Sequence, residues 1–504
     1  HLHQATGPAA SPGGAVELQQ AVYTSVAAYA FQHSRILLTA GFGHILAQLD
    51  KFLRVRVFSQ LVFFSLPILA ANIIQQLYQT IDMIVIGKFV GSTGTIGVSV
   101  GGQAAILFTI IAIALAGGGQ IYISQLMGAR DKEGIQSAIG TLFTTTFTVS
   151  IAMMVLGLVF SKDLLRLLNA PPEAMSATSD FMRITCLGFP FIFGYNAVCA
   201  VLQGMGDSKR PLIFICAAAL INVVLGVIFV GVFKWSTVGT ALATVIAQGF
   251  SCMFALVYLF RHKDAFGFDF KLRRFRVNRK HLRVLLRLSL PMLMQNGLII
   301  ITLMYVNSLI NAYGVVASAT NSIGDKVFTF ASISTQSLST AGAAMIGQNL
   351  GAGKPARVKR IVLSILILAA SLGVLSIAMS LIIPRQIFTI FSDDPAVIEY
   401  GVKYLRVSVI TFILAALMSP FFALVNGSGF ALLGLLVGIL DGVVFRLGLA
   451  WLFSSVFTLG VPGYWLASAL ARLGPLIVCF IYYASGKWKT RKLLVDVPKT
   501  GVLT

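Results

Sequence analysis

Charge is scarce in this chain, and acid is the scarcer sign. Only 11% of the 504 residues are charged, and 17 Asp and Glu face 38 Lys and Arg. A soluble globular domain carries roughly 25% charged residues, so a soluble fold is excluded. Histidine is also rare: His1, His3, His33, His44, His262 and His281 all fall outside the long apolar runs, which leaves catalysis within a membrane without a general base. The chain reads as no enzyme. Its five cysteines, Cys186, Cys199, Cys216, Cys252 and Cys479, sit in apolar runs without CxxC spacing, so neither a disulfide framework nor a zinc site is indicated. A phosphate loop is missing too. The nearest approach, Gly347 to Lys354, has the wrong spacing and Pro355 where Ser or Thr belongs, so ATP-driven pumping has no support and no cofactor is implied.

Apolar residues are plentiful, at 57% of the chain with a mean hydropathy of +0.87. From Phe58 to residue 484, apolar runs of about 20 residues recur, the length a helix needs to cross a bilayer. Twelve are counted, predicting an all-α polytopic membrane protein. Residues 1–50 form an atypical extension, in which the segment Ala21 to Leu49 is broken by His33, Arg35 and His44. It is too interrupted to span and lacks a signal peptide's basic n-region. A truncated or misassigned start is the favoured reading, with an interfacial amphipathic helix as the alternative.

The basic residues alternate with the spans. Lys51, Arg54, Arg56, Arg130, Lys132, Lys209, Arg210, the stretch Arg261 to Arg287, Lys354, Arg357, Lys359, Arg360 and the tail residues Lys487, Lys489, Arg491 and Lys492 share one side. Lys88, Lys162, Arg166, Lys234 and Arg385 hold the other. By the positive-inside rule both termini are cytoplasmic in a multi-pass protein of the inner (plasma) membrane. The net charge of +21 is then an orientation signal and not a nucleic-acid patch.

The two halves repeat. Arg183 aligns with Arg406, an offset of 406 − 183 = 223, which also places Gly204-Met-Gly206 on Gly427-Ser-Gly429, Gln125 on Gln348 and Gly128 on Gly351. With one residue of slippage Pro67 falls on Pro291. A duplicated six-helix unit follows, with an axis along the membrane normal. The expected division is 51–260 for the first lobe, 261–283 for a basic linker, 284–485 for the second lobe and 486–504 for a cytoplasmic tail.

Within the spans, only Asp82, Asp325 and Asp441 lie well away from a span end. A charge at the bilayer centre costs about 2.5 to 3.5 kcal/mol on insertion scales, so each acid is a functional-site hypothesis. Asp82 has polar neighbours, Gln75, Gln76, Tyr78, Gln79 and Thr80, as a helix lining a cavity would. Asp325 beside Lys326 reaches a different partner from its neighbour. Asp441 and Arg446, five apart, fall off a common α-helical face. This second-lobe set either binds a cation or forms internal ion pairs. Pro67 and Pro291 are candidate hinges.

The run from Phe64 to Gly91, with Pro67, Asn72, Asp82 and Gly87, resembles the first helix of the multidrug and toxic compound extrusion (MATE) family. Gln203-Gly-Met-Gly-Asp207, Ile346-Gly-Gln-Asn-Leu-Gly-Ala352 and Asn426-Gly-Ser-Gly429 extend the likeness over about residues 50–490. The resemblance implies two pseudo-symmetric six-helix lobes and a monomer in the lipid bilayer. It further implies antiport that exports small organic, cationic or amphipathic compounds in exchange for H⁺ or Na⁺. It points to Asp82 with Asn196, Asn222 and Thr244 as the coupling region. Where many relatives carry a second acid, this chain has Gly226. A hard cation wants several oxygen ligands, so H⁺ is favoured over Na⁺. The alternative is a flippase of lipid-linked oligosaccharide from the same wider superfamily, which would require a more basic cavity.

Overall fold

A computed structural model describes residues 57–167, 171–263, 268–491 and 493–495. The expected extension at 1–50, together with Lys51, Arg54, Arg56 and Lys492, lies outside the described residues.

Every long apolar run has become helix, because a segment in lipid must satisfy its own backbone N–H and C=O groups. The first six are α1 (Val57–Phe89), α2 (Ser92–Ala129), α3 (Lys132–Leu167), α4 (Pro172–Leu187 and Phe189–Gly204, bent by 49°), α5 (Lys209–Val232) and α6 (Ser236–Arg261). The second six are α7 (Arg279–Asn311), α8 (Val315–Gly351), α9 (Pro355–Ile382), α10 (Pro395–Gly427), α11 (Ala431–Val456) and α12 (Val461–Ala484). The protein is thus an all-helical polytopic membrane protein. Ten of these helices are individually long and apolar enough to cross a bilayer, and eleven with α4 taken as one bent span. The twelfth, α8, is longer than most at 37 residues but rich in Ser, Thr, Asn and Gly. It does not need an apolar surface, since every residue from Ala341 to Gly351 is buried against protein.

The outer surface is apolar. Phe63 (70% exposed), Phe147 (62%), Leu220 (68%), Val374 (66%) and Ile382 (75%) face outward, a surface that only hydrocarbon would cover at low cost.

The first helix of each half straddles both halves. Val57, Leu61, Phe64 and Ile68 of α1 pack with Leu338 and Met345 of α8 and with Ile361 and Ile365 of α9. Farther along, Tyr78 of α1 returns to Ile215 of α5 and Ala247 of α6. Leu285 and Leu288 of α7 likewise pack with Ile121, Ile135 and Val198 of the first half, whereas Val306 and Ile310 return to Tyr404 and Trp465 of the second.

The two halves meet through α2 and α8. Gly118 to Ala129 of α2 is buried without a break, matching the buried stretch of α8 by the offset 341 − 118 = 223. Glycine is required at this contact. A Cβ on Gly128 would lie 2.1 Å from the Gln348 carbonyl oxygen, and one on Gly351 2.2 Å from that of Gln125. Asn72 Nδ2 donates to Ser337 Oγ (3.0 Å), Gln120 Nε2 to the Thr340 carbonyl (3.4 Å), and Tyr122 bonds His281 (2.8 Å). These cross-links lie toward the end that carries the basic loops. Beyond Asn72, among the described residues, the polar side chains Tyr78, Thr80 and Asp82 of α1 bond within their own half.

Candidate functional site

Asp82 sits on α1 one turn beyond Tyr78, on a face that the returning half of the helix buries against α5 and α6; it is 8% exposed. Thr244 Oγ1 lies 3.4 Å from Asp82 Oδ2 and 3.0 Å from the Thr240 carbonyl. A single hydroxyl proton serves only one of these acceptors at a time. Asn222 Nδ2 donates to Thr244 Oγ1 at 3.2 Å, while its Oδ1 is buried without a partner. One turn along, Gln248 Nε2 donates to Tyr78 Oη at 3.2 Å. A Cβ on Gly226 would lie 3.8 Å from Asp82 Oδ1, so the position at which the chain departs from its relatives' second acid does face Asp82.

Asp82, Asn222 and Thr244 are therefore brought together. Asn196 is not. Its Nδ2 bonds the Ile192 carbonyl of its own helix at 2.8 Å. Gln75 is exposed, Gln76 is half-buried, and neither bonds Asp82. Lys88 is exposed, and among the described residues no cation is paired with Asp82. A buried carboxylate whose partners, Thr244 and Asn222, are both neutral is costly in low dielectric. Such a group can be neutralised by a proton or a cation.

The second half is built differently. Asp325 Oδ2 accepts from Asn307 Nδ2 (3.0 Å) and Asn321 Nδ2 (3.3 Å), and Trp465 Nε1 donates to Asn321 Oδ1 (3.2 Å). Lys326, the next residue, is exposed, as adjacent helical positions dictate. Only the expectation that Asp441 and Arg446 fall off a common face needs correction. They form a buried ion pair, Arg446 Nη2 to Asp441 Oδ1, because Leu440–Leu447 is π-helix. A π-turn bonds i to i+5 and brings residues five apart onto one face. The π-segment Leu452–Val456, shifted back by 223, falls on 229–233 and so overlaps Val227–Val232 of the first half, but Leu440–Leu447 has no counterpart there. Arg472 lies over the Phe328 ring at 4.9 Å, beside the same cluster. Asp441 thus has a fixed counter-ion and Asp325 two amide donors, while Asp82 has Thr244 and Asn222 beside it and, among the described residues, no counter-ion. Pro67 and Pro291 are buried inside α1 and α7.

Sequence reasoning passed over Gln248, Asn307, Asn321, Trp465 and Arg472. Helical spacing was the available signal for two of them: Gln248 is four after Thr244, and Asn321 four before Asp325.

The MatE family profile matches residues 67–228 and again 291–452. The two matches begin 291 − 67 = 224 residues apart, each at the proline of its lobe's first helix, so the duplication and the family rest on the same residues. The chain belongs to the MatE family. It is 27% identical over 445 residues to the probable multidrug resistance protein YpnP of Bacillus subtilis (strain 168), covering 88% of this chain and 99% of that protein. It is 26% identical to YoeA of the same organism, over 87% and 95% of the two chains. A MATE crystal structure in the bent conformation superposes with a TM-score of 0.81 at 22% identity, covering 88% of this chain and 99% of that one. A MOP superfamily transporter from Pyrococcus furiosus Vc1, described as having a binding pocket of reverse polarity, superposes at 0.83 with 21% identity, over 88% and 98% of the chains. This MatE protein accordingly has the fold of a transporter family and not of an enzyme.

Proposed function

We propose that this MatE protein is a proton-coupled antiporter that exports organic, cationic or amphipathic compounds. The observation that carries the reading is Asp82: buried, without a counter-ion among the described residues, and held by Asn222 and by a hydroxyl that has a second acceptor in the Thr240 carbonyl. Protonation removes the cost of the buried charge, and ionisation restores it. Either state changes how α1 packs on α5 and α6, and α1 also packs on the opposite lobe through Val57 to Ile68. A change at Asp82 is thereby felt at the contact between lobes. The relatives named for multidrug resistance and export, YpnP, YoeA and the MepA proteins of Staphylococcus aureus, support the substrate class.

Gly226 supports H⁺ over Na⁺. Asp82 supplies the only carboxylate oxygens of the cluster, and Na⁺, a hard cation, favours several oxygen ligands. The asymmetry of the basic loops supports a cytoplasmic side for the closed end of the bundle and for both termini, and on this reading the arrangement described is closed inward. Localisation in the plasma membrane and a monomeric state belong to the same reading. The test is uptake of H⁺ against release of a cationic dye by purified protein in liposomes, with and without Na⁺. Dye release driven by a pH gradient in Na⁺-free buffer supports the proposal, and release that requires Na⁺ refutes the choice of ion.

A further inference from the structure

The contact between the lobes is latched twice, and the two latches are copies of each other. Gln125 Nε2 of α2 donates to the Gly427 carbonyl of α10 at 3.0 Å. Gln348 Nε2 of α8 donates to the Gly204 carbonyl of α4 at 2.9 Å. Donors and acceptors are both related by the repeat, 348 − 125 = 223 and 427 − 204 = 223. Only the oxygens of the two side chains differ. Gln348 Oε1 is buried without a partner, whereas Gln125 Oε1 accepts from the backbone N–H of Leu494 at 3.4 Å.

Leu494 belongs to a segment that leaves α12 and runs back beneath the seal. Gly486, at φ +66°, lets the chain reverse. Trp488 is then buried (1% exposed) in the cluster centred on the second lobe, with its indole N–H on the Tyr483 carbonyl at 3.1 Å. Arg491 lies 3.9 Å from the Phe430 ring centre. Leu493 packs against both the first-lobe and second-lobe clusters, and Val495 is buried in the first. The segment is therefore anchored in one lobe and docked on the other. Its docking breaks the symmetry of the latches by satisfying one glutamine and not its copy.

We propose that residues 487–491 and 493–495 are a strap that bolts the lobes together at the basic end, and that Leu493 to Val495 leave Gln125 whenever the lobes part there. Rigid lobes cannot separate while a segment fixed in one stays buried in the other. Undocking exposes Leu493 and Val495 and frees Gln125 Oε1, so the docked strap biases the protein toward the closed seal. This inference concerns the seal and does not depend on what is transported.

The test uses the full chain with its five cysteines replaced and spin labels at Arg130→Cys and Lys354→Cys, exposed positions next to α2 and α8. Pulsed electron resonance in liposomes reads the distance between them. Leu493→Ser with Val495→Ser, and separately Gln125→Leu, are expected to enlarge the long-distance population several-fold. Unchanged distributions in both variants, in protein that remains monodisperse, overturn the proposal. A second arm locks the strap in its docked position instead of loosening it. Gln125→Cys is joined to Leu494→Cys by a short cleavable crosslinker, with the distance read by fluorescent proteins fused in the two loops. The tether should abolish the long-distance state and its cleavage should restore it; a tethered protein that still opens at this end overturns the strap. Loss of dye export with normal opening would instead count against the transport reading alone.

Discussion

Gly226→Asp is the substitution whose consequence can be worked most directly from the geometry. The Cβ of residue 226 points at Asp82 Oδ1 from 3.8 Å, so a carboxyl there stands about 4 Å from the first. Two unit charges at that distance repel by about 4 kcal/mol at an effective dielectric constant of 20, a factor of roughly a thousand. The doubly ionised pair therefore does not persist unless a cation sits between the acids or the pair keeps a proton. Asn222 Oδ1 and Thr244 Oγ1 add neutral oxygens beside it. The variant should bind Na⁺ where the wild type does not, seen as ²²Na⁺ retention and as a Na⁺-dependent rise in melting temperature. Gly226→Asn, of similar size without the charge, is the control for folding. A folded Gly226→Asp protein that ignores Na⁺ as the wild type does would refute both the facing of residue 226 and the argument from missing oxygens.

Three further outcomes are expected. Thr244→Val keeps the side-chain shape but removes the hydroxyl shared by Asp82 and Asn222, and a buried hydrogen bond lost in this way costs about 1 to 3 kcal/mol; initial export rates should fall roughly tenfold, with expression unchanged. Arg446→Met strands Asp441 and should lower stability by about 3 to 5 kcal/mol, whereas Arg446→Met with Asp441→Leu should recover most of it, as thermal denaturation in detergent would show. Gly128→Ala sets a methyl 2.1 Å from the Gln348 carbonyl, so the α2–α8 contact must spread, and thiol labelling of Ser124→Cys from the basic side should accelerate.

The spans and the repeat were legible because each rests on spacing, whereas the linkage of Asp82 to Asn222 and Thr244 was implied by the family resemblance. Twenty apolar residues make a span, an offset of 223 makes a copy, and Asn222 with Gly226 falls on one helical face. The second lobe was less so. Asp441 and Arg446 are off-face in an α-helix and on-face in a π-helix, and nothing in Leu440–Leu447 announces the wider turn. Asn196 illustrates the opposite error. It is polar and at a family-like position, yet its amide is spent on the Ile192 carbonyl within its own helix, a bond that any mid-helix Asn can make. The deficit of apolar residues in α8 was no obstacle to its forming a helix, because protein and not lipid covers its buried half.

The central claim is that Asp82 couples transport to protons. The most direct measurement is efflux of a fluorescent cationic dye from proteoliposomes under an imposed pH gradient without Na⁺, comparing the wild type with Asp82→Asn. The account predicts rapid efflux by the wild type, and none above background by the mutant although it still binds the dye. Equal efflux by both proteins would contradict it and move the coupling to Asp325 or Asp441.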